Sequence, residues 1–279
     1  MILVTGATGQ VGRGVVTRLV GRGARVRALS RQPEKAALPA AVEVVQGSPD
    51  DADSLHAALA GVEKAFVVLT GDIDSQAQTL ATAAAAGTLR HMVVLSSSAV
   101  LHPVPHAIKD NHEKAERAIR GTGVPWTFLR PGPFHTNSLW WAKTIQTRGV
   151  ARCLIGNNPG APIDPDDIAA VAVQVLSEEG HEYSSYELTG GELLTSEEQV
   201  RIIGDALGKE IEFLVATKSE ATDVFTDLSW DREASTTNIE ALHSPRVPWG
   251  RTVETVKEIT GRAPRTFREW ATTNAHLFR

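Results

Sequence analysis

Histidine and lysine side chains lie close together in the segment HAIKDNHEK, at residues 106–114. Lys109 and His112 are three residues apart, so they share one face of a helix if that helix begins early enough. An imidazole with a pKa near 6.5 can donate or accept a proton at neutral pH, and a nearby ammonium would lower that pKa. We take His112 and Lys109 as candidate catalytic residues. The alternative is a solvated helix face made with the neighbouring charged residues.

Three glycines recur in TGATGQVG, residues 5–12, between a short apolar strand and an amphipathic helix. Glycine lets a diphosphate approach the backbone, and a helix N-terminus offers free N–H groups and the positive end of the helix dipole. Thr8 adds a hydroxyl. The motif predicts a dinucleotide site formed by Gly6, Thr8, Gly9, Gln10, Val11 and Gly12. The alternative is a turn whose glycines only let the helix pack tightly on the sheet.

The end of the second strand indicates which dinucleotide is bound. The strand ends in Ala28-Leu29-Ser30-Arg31 and lacks the acidic residue that would accept a ribose 2′-hydroxyl. Arg31 can instead make charge-assisted contacts to a 2′-phosphate, and Ser30 can donate a further hydrogen bond. We therefore expect NADPH rather than NADH. The alternative is that Arg31 is a solvated surface residue.

The first half of the chain alternates short apolar strands with helices. Strands that are apolar on both faces and separated by helices predict an α/β fold with a doubly wound parallel sheet, the Rossmann plan. After Gly149 the rhythm changes, which predicts an NAD(P)-binding domain at 1–149 and a smaller C-terminal α/β substrate lobe at 150–279, interleaved with the core. The strands are expected at 2–5, 25–29, 42–45, 65–69, 91–95, 126–129, 186–189 and 211–215, and the main helices at 52–59, 76–86, 111–120, 166–176, 197–207 and 253–259.

Ligands bind at the carboxyl ends of the strands in this fold, so the residues there are further candidates. Ser96 and Ser97 end the fifth strand and could bond a substrate carbonyl or the nicotinamide amide, although such serines are also ordinary turn residues. Trp140 and Trp141 are adjacent and must point in different directions. The remaining candidates for the cofactor are Thr70 after the fourth strand and Pro131, Gly132, Pro133 and Phe134 after the sixth.

Composition excludes several classes of function. The 279 residues carry a net charge of −5 without a basic run, which argues against nucleic acid or a membrane surface as a partner. Cys153 is the single cysteine, so no internal disulfide can form. His102 and His106 flank two prolines without a third ligand, so we expect no metal. Without a signal peptide or a long apolar run, we expect a cytoplasmic protein.

The chain resembles the NmrA-like atypical short-chain dehydrogenase/reductases, including their NAD(P)H:quinone oxidoreductase branch. The glycine motif, LSRQPEKA at 29–36 and VVLSSS at 93–98 carry the resemblance. So do HEKAERAI at 112–119, GVPWTFLRPGPFHTN at 123–137, DPDDIAAVA at 164–172 and YELTGGELLTSEE at 186–198. The resemblance covers most of the chain and implies the fold and the cofactor more specifically than the substrate.

In the wider superfamily a Tyr four residues before a Lys donates the proton, and this chain lacks that pair. Tyr183 and Tyr186 are followed four residues later by Glu187 and Gly190. Related NmrA-like sequences often carry Lys or His where His112 falls, so the resemblance also implies His112 as the replacement.

Two hypotheses of function follow from the cofactor motif and the resemblance. The first is an NADPH-dependent oxidoreductase that transfers hydride to a small aromatic, conjugated or quinone-like substrate. The alternative is an NAD(P)-sensing regulator of the NmrA type, which binds a protein partner without turnover. A redox-neutral isomerase also stays open, as does the choice between a monomer and a homodimer.

Overall fold

A seven-stranded parallel sheet forms the centre of the protein. The structure, a computed structural model, describes residues 1–85, 88–227, 231–244 and 250–279. The strands are β1 (Ile2–Val4), β2 (Val26–Ser30), β3 (Glu43–Gln46), β4 (Lys64–Val68), β5 (His91–Leu95), β6 (Trp126–Pro131), β7 (Val150–Cys153), β8 (Ser184–Leu188) and β9 (Glu212–Val215). The order in the large sheet is β3-β2-β1-β4-β5-β6-β8, and β7 pairs with β9 in a separate small sheet.

Helices cover the sheet and build the C-terminal part. The helices are α1 (Gln10–Gly21), α2 (Ala52–Leu59), α3 (Ile73–Ala85), α4 (Ala107–Arg120), α5 (Ala142–Arg148), α6 (Pro165–Ser177), α7 (Ser196–Leu207), α8 (Lys218–Asp227), α9 (Arg232–Leu242), α10 (Thr255–Thr260) and α11 (Phe267–Thr273). Short 3₁₀ helices lie at Pro33–Lys35, Ser98–Leu101, His135–Trp141 and Ala275–Phe278.

Both faces of the sheet are buried because successive strand residues point to opposite sides. Val4 packs in a core with α1 and α6, whereas its neighbour Leu3 packs in a second core with α2, α3 and α4. Each such side chain contributes roughly 1.5–3 kcal/mol when it is fully buried. The doubly wound parallel sheet predicted from the sequence is confirmed.

Several predicted helices begin or end at other residues than expected, whereas the helix at 52–59 has the predicted ends. The helix expected at 111–120 begins four residues earlier, at Ala107, because the side chain of His106 accepts the N–H of Lys109 and caps it. The alanine-rich helix expected at 76–86 begins at Ile73, and its last predicted residue lies outside the described residues. Thr195 and Glu198 form a capping box at α7.

The second half of the chain does not form a separate body beside the sheet. Strand β8 pairs with β6, and α6 packs against α1 in the first core. Helices α5, α7 and α11 with β7 enclose a third core around Trp141, Phe267 and Trp270, and α8 packs on α9 in a smaller cluster of Ala221, Phe225 and Ile239. Strand β7 and helices α5, α8, α9 and α11 were not predicted from the sequence. A division at residues 149 and 150 with an interleaved substrate lobe stays a prediction.

A buried acidic residue joins the C-terminal segment to α6. The carboxylate of Asp167 accepts the backbone N–H of Arg265 at 2.7 Å, and the guanidinium of Arg265 pairs with Asp164 at 3.1 Å. Burial, assisted by the nearby charges of Asp164 and Asp166, raises the pKa of Asp167 to about 6 despite the hydrogen bond from Arg265. Asp167 therefore binds a proton in the folded protein at a pH where an ordinary aspartate has released it.

Replacing Asp167 with Asn tests whether Asp167 keeps this proton in the folded protein. Between the ordinary pKa of 3.8 and the folded value of about 6, the folded state holds a proton that the unfolded state has lost. The free energy of unfolding contributed by Asp167 therefore falls as pH rises through this window and is constant above it. We expect the variant to gain stability relative to the wild-type protein from about pH 4 to about pH 6, measured by urea unfolding. A difference in the free energy of unfolding between the variant and the wild-type protein that does not change with pH would contradict the raised pKa.

Candidate functional site

The glycine turn brings the start of α1 against the end of β1. Gly6 adopts a positive φ of 59°, and a Cβ at Gly12 would lie 2.2 Å from the carbonyl oxygen of Gly6. Gly6 and Gly12 are therefore required for close packing, which is the alternative that the sequence left open. Packing and phosphate binding are compatible, because Gly6, Thr8 and Gly9 stay exposed where α1 approaches β1. We call the groove that begins at this turn, along the carboxyl edge of the sheet, the crevice.

The N-terminus of α1 is left available for an anion. Its N-cap is Gly9, which makes no side-chain hydrogen bond, and its first turn contains no acidic residue. The first N–H groups of a helix need partners, and a phosphate satisfies them and complements the dipole. The side chain of Val11 is buried in the core, so only its N–H can serve the ligand. Gln10 is exposed, and its side-chain oxygen accepts a hydrogen bond of 2.6 Å from Thr136 beyond β6.

The loop after β2 forms the far end of the crevice. Arg31 is exposed immediately after the strand, and the half-buried Ser30 accepts the N–H of Gln32 through its hydroxyl oxygen. Arg13 on α1 donates to the carbonyls of Ala36 and Ala37 at 3.2 and 2.8 Å, which ties this loop to the glycine turn. The contribution of Arg13 was not predicted, because nothing in the sequence links it to a loop more than 20 residues away.

A cavity of about 580 Å³ opens at the carboxyl ends of β4, β5 and β6. Its floor abuts the glycine turn, because Val68 lines the cavity and would contact any Cβ at Gly6. Phe225 and Leu242 contribute from the C-terminal part. The candidates that the structure brings together here are Thr70, Ser96, Ser97, His112, Pro131, Gly132, Pro133 and Phe134.

The wall after β6 is rigid and apolar. The carbonyl of Pro133 accepts the N–H of Ile163 at 2.9 Å, and the N–H of Gly132 donates to Leu188 at 2.9 Å. Pro133 therefore presents its ring to a ligand, while its carbonyl is already engaged. Trp140 is 54% exposed and lines the cavity edge-on to Phe225, with ring centroids 6.1 Å apart, whereas Trp141 is buried in the third core. The different directions predicted for these two tryptophans are observed.

His112 faces the cavity as a neutral imidazole. Burial lowers its pKa to about 4, although the negative charge of Glu116, one turn along α4, opposes the shift. At pH 7 roughly one molecule in a thousand would carry the imidazolium. His112 can therefore donate a hydrogen bond from its neutral N–H but is a poor source of a proton as an acid.

The structure separates Lys109 from this site. Its ammonium donates to Glu113 at 2.7 Å and to the carbonyl of Val100 at 2.8 Å, and Lys109 does not line the cavity. The expectation that Lys109 lowers the pKa of His112 is wrong, because burial is the cause of that shift. Lys109 lies on α4 as the spacing predicted, but salt bridging directs its side chain away.

A buried charge network lies behind the cavity. The carboxylate of Glu116 accepts hydrogen bonds from Ser96 at 2.7 Å, from Arg120 at 2.8 Å and from Arg130 at 2.6 and 2.9 Å. Burial opposes the charge of Glu116, but the hydrogen bonds from Arg130 and Ser96 outweigh it and keep the pKa below its usual value. Ser96 lines the cavity, yet its hydroxyl proton is committed to Glu116.

His102 and His106 also line the cavity. His102 and His106 approach each other at 3.2 Å, and burial lowers the pKa of both, that of His102 to about 4. In the described part of the chain, no group of three or more His, Cys, Asp and Glu side chains is arranged to hold a metal ion. Tyr183 and Tyr186 lie on or beside β8 and do not line the cavity.

An uncapped helix N-terminus behind a glycine turn, a guanidinium after the second strand and a cavity at the sheet edge define a dinucleotide-binding α/β protein. Residues 6–179 match the family model described as NAD(P)H-binding. The chain belongs to this family, as its resemblance to the NmrA-like proteins implied. None of the helices in the described ranges combines the length and apolar character needed to cross a membrane.

Two curated relatives match over essentially their whole length. The chain is 39% identical to (4-alkanoyl-5-oxo-2,5-dihydrofuran-3-yl)methyl phosphate reductase of Streptomyces griseus, covering 100% of this chain and 99% of the relative. It is 33% identical to NAD(P)H azoreductase of Xenophilus azovorans, with the same coverage. The relatives are reductases, and this chain is an NAD(P)H-dependent oxidoreductase.

Solved structures share the fold over the whole chain. The NADPH-dependent quinone oxidoreductase of Escherichia coli in complex with NADPH superposes with a TM-score of 0.85 at 26% identity, covering 100% of both chains. NmrA, a negative transcriptional regulator, gives a TM-score of 0.76 at 19% identity, covering 97% of this chain and 94% of NmrA. The likeness to NmrA shows the fold alone.

Proposed function

We propose that the chain is an NADPH-dependent reductase of small, flat acceptors whose reacting double bond is conjugated, such as quinones, azo compounds and enones. One relative is an azoreductase, and the structural neighbour is a quinone oxidoreductase. The other relative reduces an alkanoyl-oxo-dihydrofuranylmethyl phosphate, whose unsaturated ring is conjugated with carbonyls and which also carries a phosphate. The single observation that carries the proposal for this chain is the place of His112, whose pKa burial lowers to about 4, in the wall of the cavity next to the glycine turn.

The residues present fit the cofactor. The first N–H groups of α1 would receive the diphosphate, Arg31 the 2′-phosphate, and Thr70 with the Pro131–Phe134 wall the nicotinamide end. When bound, the reduced nicotinamide supplies a hydride. Pro133, Phe134 and Trp140 exclude water and hold a flat acceptor in line, which is the main requirement for hydride transfer.

His112 would stabilise the negative charge that develops on the acceptor. A preformed N–H donor in a water-excluded site lowers the barrier without releasing a proton. A reduced quinone resembles a phenolate, with a pKa of about 10, so its oxygen can be protonated from water afterwards. An alkoxide formed from a simple ketone is far more basic and would need the acid that His112 cannot supply. This matches a chain without the Tyr–Lys pair.

Turnover with NADPH tests the proposed activity. Purified protein should consume the absorbance of reduced nicotinamide with an uncharged quinone such as menadione, and more slowly with a simple ketone such as cyclohexanone. Binding of NADPH and NADP⁺ should be measured in parallel by fluorescence titration. Equal affinity for the two forms without turnover of any acceptor would overturn the reductase proposal and favour the regulator.

Replacing Arg31 with Ala tests the choice of NADPH. Loss of a charge-assisted, bidentate contact costs about 1.5–3 kcal/mol, so the Kd for NADPH should rise about 10- to 100-fold. The Kd for NADH should change by less than about threefold, because NADH has no 2′-phosphate. Arg148 is exposed at the end of α5, and Arg148→Ala serves as the matched control. Equal losses for both cofactors would remove Arg31 from the 2′-phosphate site.

Replacing His112 with Ala tests its role as a hydrogen-bond donor. We expect kcat to fall about 10²-fold, as on loss of one donor to a developing oxyanion. Lys109→Ala should lower kcat much less, because the ammonium of Lys109 contacts Glu113 and Val100 and does not line the cavity. Because the pKa of His112 is about 4, the rate of the wild-type protein should not increase as pH falls through 6.5. A rate that follows protonation near 6.5, or a larger loss for Lys109→Ala, would contradict this role.

A further inference from the structure

Gln76 joins two loops that are distant in sequence. It is 4% exposed in the first turns of α3, and both ends of its side-chain amide are used. Its Oε1 accepts the backbone N–H of Thr70 at 2.9 Å, and its Nε2 donates to a carboxylate oxygen of Asp50 at 2.8 Å. A buried amide with both hydrogen bonds made fixes the positions of its partners, because breaking either leaves a polar group unpaired.

Each loop adjoins a different end of the proposed cofactor crevice, and Gln76 joins them where they approach each other. Thr70 follows β4 and lines the cavity where the nicotinamide end is proposed. Asp50 follows β3, whose last residue Gln46 pairs with Ser30 at the end of β2, next to Arg31. The second carboxylate oxygen of Asp50 accepts the hydroxyl of Ser48 at 2.8 Å. The hydrogen bond from Gln76 is the main cause that lowers the pKa of Asp50, and the positive charge of Arg31 contributes as well.

We propose that Gln76 is a positioning residue for the dinucleotide: its amide holds the loop beside the 2′-phosphate site at a fixed distance from the end of β4 beside the nicotinamide. The inference rests on the proposed NADPH site. A dinucleotide contacts both ends at once, so a bridge between them reduces the ordering cost of binding. Gln76 itself need not touch the ligand.

The same bridge places a negative charge near Arg31. The carboxylate of Asp50 is within the electrostatic reach of the guanidinium and would repel a 2′-phosphate bound there. The bridge and the charge therefore have different consequences. Loss of the bridge weakens every nicotinamide dinucleotide, whereas loss of the charge favours NADPH alone.

Gln76→Leu in the full-length protein tests the bridge. We expect the Kd values for NADPH and NADH to rise together by about tenfold or more, measured by fluorescence titration. At saturating NADPH, kcat should stay within about threefold, because the change acts on the ordering cost of binding, which bound cofactor offsets. Gln78→Leu is the matched control, since Gln78 is exposed two residues further along the same helix, and its Kd values should match those of the wild-type protein.

Two substitutions of the exposed Asp50 keep the test decisive if Gln76→Leu fails to fold. Asp50→Asn keeps an oxygen for Gln76 and removes the charge, so NADPH should bind at least about threefold more tightly relative to NADH. Asp50→Ala also removes the bridge, so the Kd for NADH should rise about fivefold or more, whereas Asp50→Asn leaves it near the wild-type value. NADH is the informative ligand here, because it has no 2′-phosphate to respond to the charge.

The outcomes separate this inference from the proposed function. If the wild-type protein binds neither NADPH nor NADH, the proposed function fails. If it binds NADPH but Gln76→Leu and Gln78→Leu have the same Kd values, the positioning role of Gln76 is overturned. Equal Kd values of Asp50→Ala and Asp50→Asn for NADH would overturn it as well.

Discussion

The close approach of α1 to the end of β1 is the constraint on which the site depends. The carbonyl of Gly6 occupies the space that a side chain at position 12 would need, so the helix begins directly at the edge of the sheet. Because Gly9 provides no side-chain cap, the N–H groups of the first turn have no side-chain partner from the N-cap and could receive an anion. The close contact between Gly6 and Gly12 therefore provides both the tight packing of α1 on the sheet and the proposed anion site at its N-terminus.

Charge is kept away from the place where the acceptor would lie. The carboxylate of Glu116 is compensated by Arg120 and Arg130 behind the cavity wall, and burial keeps His112 neutral. Among the described residues that line the cavity, Glu187 and Arg251 are charged, and they pair with each other. An acceptor would therefore meet apolar walls and neutral hydrogen-bond donors. Such surroundings suit the conjugated ring system of the proposed acceptor.

The sequence predicted the sheet better than the site. Strand His91–Leu95 was predicted to its exact ends because apolar residues on both faces identify a buried parallel strand. The spacing of Lys109 and His112 correctly placed both on one helix, but spacing does not determine what the end of a long side chain contacts. Glu116 could not be recognised, since its partners come from β5 and β6 and meet it only in the folded protein.

The absence of the Tyr–Lys pair is consistent with the electrostatics of the cavity. A Tyr–Lys pair supplies a proton to a strongly basic alkoxide, and a lysine beside the nicotinamide would bring charge into the cavity. Here Lys109, which shares a face of α4 with His112, is neutralised by Glu113, and burial keeps His112 uncharged. Conjugation in the acceptor spreads the incoming negative charge, so a single N–H hydrogen bond suffices to stabilise it. The proposed reductase activity therefore favours acceptors in which conjugation delocalises the charge brought by the hydride.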